Sequence, residues 1–171
     1  VRVIRDLPLE VNSPPDFDAV RPGPRSLEWR ADAPATLCWV ETLDDGDSRK
    51  AVDFREQLYL WSPGQAQPQA WLRLTQRYRG VDWGERQNVL VHEGLWKTRK
   101  SKTLWVRPGE APVVLFDRST EDRYNDPGKP LFKRQPNGHS LFMLSADGKS
   151  IYLSGAGASP EGDRPFLHRF D

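Results

Sequence analysis

The chain has 171 residues, enough for one substantial domain with a real core, and its 25 basic and 24 acidic side chains leave a formal net charge of +1. So even a balance gives no strong field toward nucleic acid or an anionic membrane. A single cysteine excludes an intrachain disulfide framework, and neither an eighteen-residue apolar run nor a charged-then-apolar leader is visible.

Residues 1–25 carry Pro8, Pro14, Pro15, Pro22 and Pro24 with little apolar alternation. Proline fixes φ and removes a donor, so this stretch reads as an extended approach segment ahead of a folded part, 26–171. Alternation begins at Leu27. Residues 26–41 read as a short strand ending near Trp29, a polar turn, and a second strand through Leu37, Cys38 and Trp39, in which Cys38 is expected to be a small buried hydrophobe. The acidic turn Asp44-Asp45-Gly46-Asp47 has the residue types of a calcium loop. It lacks that loop's alternate spacing and terminal glutamate, and reads as a solvent-exposed turn. Another strand runs from Gln57 through Trp61 into Ser62-Pro63-Gly64, and Trp71-Leu72-Arg73-Leu74 closes the unit.

The same shape returns. Val81 to Glu93 gives strand, turn and strand; Lys102 to Arg107 leads into Pro108-Gly109; Pro112 to Asp117 closes the second unit. The densest basic run, Lys97-Thr98-Arg99-Lys100-Ser101-Lys102, reads as a solvated hairpin turn rather than a phosphate contact. A polar stretch, Arg118 to Pro130, separates the second unit from the third and has the length of a functional loop. The third copy runs from Phe142 to Gly155 and is followed by Pro165 to Asp171, with Asn137-Gly138 and Asp147-Gly148 as tight turns.

Repeated antiparallel units with no helix between them predict an all-β fold: a partial β-propeller of about three blades of four-stranded sheets. The spacing between equivalent positions, Trp29 to Trp83 and Pro63 to Pro108, is uneven. An ordinary β-sandwich is therefore the competing reading. The Pro-Gly ending that returns on equivalent strands favours the propeller. Propellers have about four to eight blades, so about three imply a piece of a larger protein with open strand edges, and self-association through those edges is expected. Trp29, Trp39, Trp61, Trp71, Trp83, Trp96 and Trp105 mostly fall within strands, where packing between blades is expected in preference to base stacking or a sugar platform.

Signs of catalysis are scarce. His92, His139 and His168 are far apart and show no metal-ligand spacing. The nearest string to a G-x-S-x-G nucleophile elbow, Gly157-Ala158-Ser159-Pro160-Glu161-Gly162, fails on spacing, and Pro160 removes an N–H where an oxyanion donor is needed, so Ser159 reads as a loop residue. No residue is assigned a catalytic, cofactor-binding or metal-binding role, no cofactor is implied, and the chain alone is not expected to hydrolyse anything.

Three phrases carry a resemblance: Trp29 to Glu41, Asp117 to Tyr124 with Asp126-Pro127-Gly128, and Gly155 to Leu167. From about Leu27 onward the chain resembles the propeller region of prolyl-oligopeptidase-type serine peptidases, nearest to the glutamyl endopeptidase-like group and its dipeptidyl aminopeptidase and acylaminoacyl peptidase relatives. The resemblance implies a two-domain enzyme in which the propeller restricts peptide access to an α/β-hydrolase domain carrying a Ser-Asp-His triad. The partners so implied are that hydrolase domain and peptide substrates, with no nucleic acid and no membrane. None of the triad motif maps onto this sequence. Arg99 and Arg123 are charged residues that could face a central cavity. The alternative is a propeller interaction scaffold of the TolB type that binds a protein partner. Substrate preference and compartment, periplasmic or cytoplasmic, stay open.

Overall fold

The computed structural model describes residues 16–171. The predicted approach segment lies largely outside them, including Pro8, Pro14 and Pro15; residues 16–24 form turns and bends before the first strand. Thirteen strands follow, and the described residues contain no α-helix, only a 3-10 turn at Glu85–Gln87. The strands are β1 (Arg25–Trp29), β2 (Leu37–Thr42), β3 (Glu56–Trp61), β4 (Gln69–Leu74), β5 (Arg77–Trp83), β6 (Val89–Leu95), β7 (Lys100–Val106) and β8 (Val113–Ser119). They continue with β9 (Lys129–Pro130), β10 (Phe132–Arg134), β11 (Ser140–Phe142), β12 (Ile151–Gly155) and β13 (Phe166–Phe170).

Two four-stranded sheets run in chain order, β1-β2-β3-β4 and β5-β6-β7-β8, as a propeller blade requires. The Pro63-Gly64 and Pro108-Gly109 turns sit between β3 and β4 and between β7 and β8, the equivalent places the sequence predicts. The third repeat departs from the pattern of one four-stranded sheet: it forms a two-stranded β10-β11 hairpin and a three-stranded sheet of order β13-β12-β9. The cause is local. Around Leu131 the chain changes partner: the Leu131 N–H donates to the Tyr152 carbonyl (2.9 Å), while its own carbonyl accepts from the Met143 N–H (2.8 Å). Pro130 has no N–H to extend either ladder.

By compactness the chain divides into two units, one taking in the described part of Val1–Arg79 with Glu93–Lys100, the other Gly80–His92 with Ser101–Asp171. In the first unit, β2 and β3 are the central strands. Their register sets Cys38 opposite Leu60 and Val40 opposite Leu58, and Leu58 opposite Leu72 on β4. Cys38, Trp39, Val40, Leu58, Leu72 and Leu74 are buried, and burial pushes the Cys38 thiol up to about 12.

This unit also holds a buried ionic cluster. Arg77 is 1% exposed and grips Asp44 with both terminal nitrogens (2.9 and 2.8 Å), reaches Glu56 at 3.3 Å, and donates from Nε to the Asp18 carbonyl at 2.8 Å. Arg55 adds a bond to Asp44 (2.9 Å), and Arg25 pairs with Glu56. Burial pushes the Glu56 carboxyl up, while Arg25, the Tyr78 N–H and Arg77 pull it back. The acidic turn is thus not solvent-exposed throughout: Asp45 is exposed, but Asp44 is buried as the acceptor for two arginines. A charge in the interior persists only when paired, and here three guanidinium groups supply the pairing.

In the second unit the core is Leu90, Trp105, Phe142, Leu144, Ile151 and Leu153, with Leu115, Phe116 and Phe170 packed against it. Phe142 is fully buried and lies over Gly84, where an added Cβ would sit 2.2 Å from the ring. Glycine is required there for close approach, not for backbone angle, since the φ of Gly84 is −123°. Three of the tryptophans, Trp39, Trp83 and Trp105, are core residues as predicted, whereas Trp29 and Trp96 are mostly exposed. Alternation fails as a guide for these two because Trp29 ends an edge strand and Trp96 occupies a hairpin turn.

Candidate functional site

The polar segment after β8 does not wander as a free loop. The Asp122 N–H returns to the Ser119 carbonyl (3.2 Å), and Arg118 donates to the Asp122 carbonyl (2.7 Å) while pairing with Asp126 at 3.0 Å. Asp122 accepts from the Asn125 side chain (2.9 Å) and its backbone N–H (3.2 Å). Those two bonds, side chain first, hold its carboxyl below the usual carboxylate range. Asp126 in turn caps the Gly128 N–H at 2.9 Å.

Gly128 then lets this segment lie against β12. Its φ is +84°, and a Cβ would fall 2.4 Å from the Ser154 carbonyl oxygen, so both backbone angle and space call for glycine. The β12–β13 connection faces the same region. It closes through reciprocal bonds between Ser159 and Gly162 (3.1 Å each) and from the Arg164 N–H to the Gly157 carbonyl (2.8 Å). Between the two segments lies a cleft of about 380 Å³ lined by Glu121, Asp122, Arg123, Tyr124, Ala158, Ser159 and Asp163.

Three carboxylates, one guanidinium, a phenol and a hydroxyl make this a polar cleft. Covalent catalysis by Ser159 would need an adjacent base to activate its hydroxyl. Ser159 Oγ instead donates to the Gly162 carbonyl at 2.7 Å, within its own turn, and no histidine lines the cleft. Ser159 is the loop residue the sequence predicts. Arg123 lines this cleft, and Arg99 lies on the β6–β7 hairpin, its guanidinium 3.9 Å from the centre of the Trp96 ring.

The histidines stay apart. His139 is exposed in the β10–β11 turn, and His168 on β13 stacks on Phe166 with ring centres 4.9 Å apart. His92 is the exception in having polar partners on both ring nitrogens: Nε2 lies 3.0 Å from Asp82 and Nδ1 3.0 Å from Thr103. Sequence reasoning passed over this carboxylate-imidazole-hydroxyl line, which follows from the antiparallel order of β5, β6 and β7. The three side chains form a cross-strand ladder, with Thr103 only 9% exposed. Among the described residues no group of three or more acidic, histidine or cysteine side chains is arranged to hold a metal ion, and no helix is long and apolar enough to cross a membrane.

The chain is similar over its whole length to two plant proteins. One, from Oryza sativa subsp. japonica, is named probable glutamyl endopeptidase, chloroplastic, and is 39% identical over 180 residues. The other, from Arabidopsis thaliana, bears the same name and is 39% identical over 181 residues. The chain spans 19% of the length of each. No family model matches the chain, and no solved structure matches it.

Proposed function

We propose that this chain is a non-catalytic propeller segment of a prolyl-oligopeptidase-type serine peptidase, and that it gates peptide access to a hydrolase domain outside its 171 residues. The observation that carries the reading is the 39% identity, across the whole chain, to proteins named as probable glutamyl endopeptidases. The structure supports it with blade-like four-stranded sheets, the material of a propeller. On this reading the partners are the hydrolase domain and extended peptides, and a second copy can associate through open strand edges when the chain is isolated.

The test is substrate size. The product of the whole gene should cleave short glutamate-containing peptides and leave the same sequence uncut when it is displayed on a folded protein. Equal cleavage of both would remove the gating role. A gene product without peptidase activity that instead captures a folded protein would favour the interaction scaffold.

A further inference from the structure

The cleft between segments 121–124 and 158–163 is bounded by turns that close on themselves. On one wall the Asp122 N–H returns to the Ser119 carbonyl (3.2 Å) and the Arg123 N–H to the Glu121 carbonyl (3.0 Å), while the Asp122 carboxylate holds Asn125. On the other, Ser159 and Gly162 exchange backbone bonds, and the Ser159 hydroxyl donates to the Gly162 carbonyl at 2.7 Å. Walls fixed by their own bonds are pre-organised, which lowers the ordering cost of taking up a ligand.

Glu121 and Asp122 already have interactions of their own, and Ser159 serves its turn. Three other side chains that line the cleft are uncommitted. Among the described residues, the Arg123 guanidinium, the Tyr124 hydroxyl and the Asp163 carboxylate make no hydrogen bond or ion pair. Arg123 belongs to one wall and Asp163 to the other. Opposite charges facing one small space gain by closing on each other, yet the self-closed turns keep these two apart, so the field between them runs across the cleft. A ligand that fills the gap must bring the complementary pair, an anion for Arg123 and a cation for Asp163.

We infer that this cleft binds a small zwitterion, the chemistry that a free amino acid and a short unblocked peptide share. The Arg123 guanidinium suits the ligand carboxylate through two parallel N–H donors, and Asp163 accepts from the ligand ammonium. The Tyr124 hydroxyl adds a donor for the same carboxylate. The volume, about 380 Å³, lies at the small end of the range of about 300–1,000 Å³ typical of ligand pockets. A metal ion fits less well, because among the described residues no three acidic side chains are arranged to hold one. A dianion or a dication would leave one of the two open charges unmet. The inference does not depend on the peptidase reading, since it requires no hydrolase domain.

The test titrates the full 171-residue chain with alanine and with dialanine while following backbone amide signals by NMR. At least one of the two should bind and shift the signals of 121–124 and 158–163; binding of alanine marks a free amino acid as the ligand, and binding of dialanine alone marks a peptide. Whichever binds is then compared with its N-acetyl and C-terminal amide forms. Removing either ligand charge should weaken binding about tenfold, the size of one charge-assisted hydrogen bond. Two variants show which wall reads which charge. Arg123→Gln should bind the acid and the amide equally, and Asp163→Asn the free and acetylated forms equally, with thermal midpoints unchanged because both residues are exposed. No saturable binding of either zwitterion, blocked forms that bind the wild type as well as the free one, shifts confined to other residues, or variants that keep the wild-type discrimination would each overturn the inference.

Discussion

Replacing Arg77 by alanine should be among the most damaging single changes in the first unit. Its side chain is 1% exposed and makes four bonds: two to Asp44, one to Glu56 and one to the Asp18 carbonyl. Deleting it strands charges whose side chains are themselves fully buried. Breaking a buried pair from one side costs about 3–5 kcal/mol. The low end is expected, because Asp44 keeps Arg55 and the Gly46 N–H, and Glu56 keeps Arg25 and the Tyr78 N–H. Against a total stability of about 5–15 kcal/mol that is a large fraction. With a urea slope of about 2 kcal/mol per molar, the unfolding midpoint should fall by about 1.5 M or more. Arg77→Lys should recover part of the loss, since an ammonium carries the charge but not the bidentate fork. Arg49→Ala, which removes an arginine paired with Asp47 at the surface, should leave the midpoint unchanged. A drop of less than about 0.5 M for Arg77→Ala would refute the claim that this cluster organises the unit.

Three further outcomes are expected. Gly128→Ala should be clearly worse than Gly64→Ala: both have φ near +85°, but only Gly128 meets a backbone carbonyl, and paired urea titrations measure the difference. Cys38, raised from 9.0 to about 12 by burial, should resist iodoacetamide in the native chain at about pH 8 and react fully in urea. The sign of its pH linkage is fixed: the folded state favours the protonated thiol, so its stabilising contribution is complete below pH 9.0 and is lost as pH climbs toward 12. Native alkylation at the unfolded rate would contradict the buried position. Finally, the isolated chain should self-associate through edges such as β8, where Val113 and Val114 are exposed; a clean monomer in sedimentation across a wide concentration range would count against this.

The strands were legible because apolar alternation and Pro-Gly or Asp-Gly turns are local signals. They located β2, β3, β6, β7 and β12 closely, and the polar segment that became one wall of the cleft. What escaped was non-local. Asp44 looks like any residue of an acidic turn until Arg77, far along the chain, is folded onto it. The other cleft wall, Ala158 to Asp163, reads as a simple loop, and only the approach of Gly128 to Ser154 gives it a partner. The exposure of Trp96 was hidden for a similar reason: residue type suggests core, whereas position in a turn anchored by Asp18 decides otherwise.

The most direct test of the central claim is to treat the product of the whole gene, and the chain of residues 1–171 by itself, with a fluorophosphonate probe that labels activated serines. The account predicts one labelled serine in the long product, outside these residues, and none in the 171-residue chain. Labelling of Ser159 or any other serine within the chain, or no labelling of the long product, would contradict it.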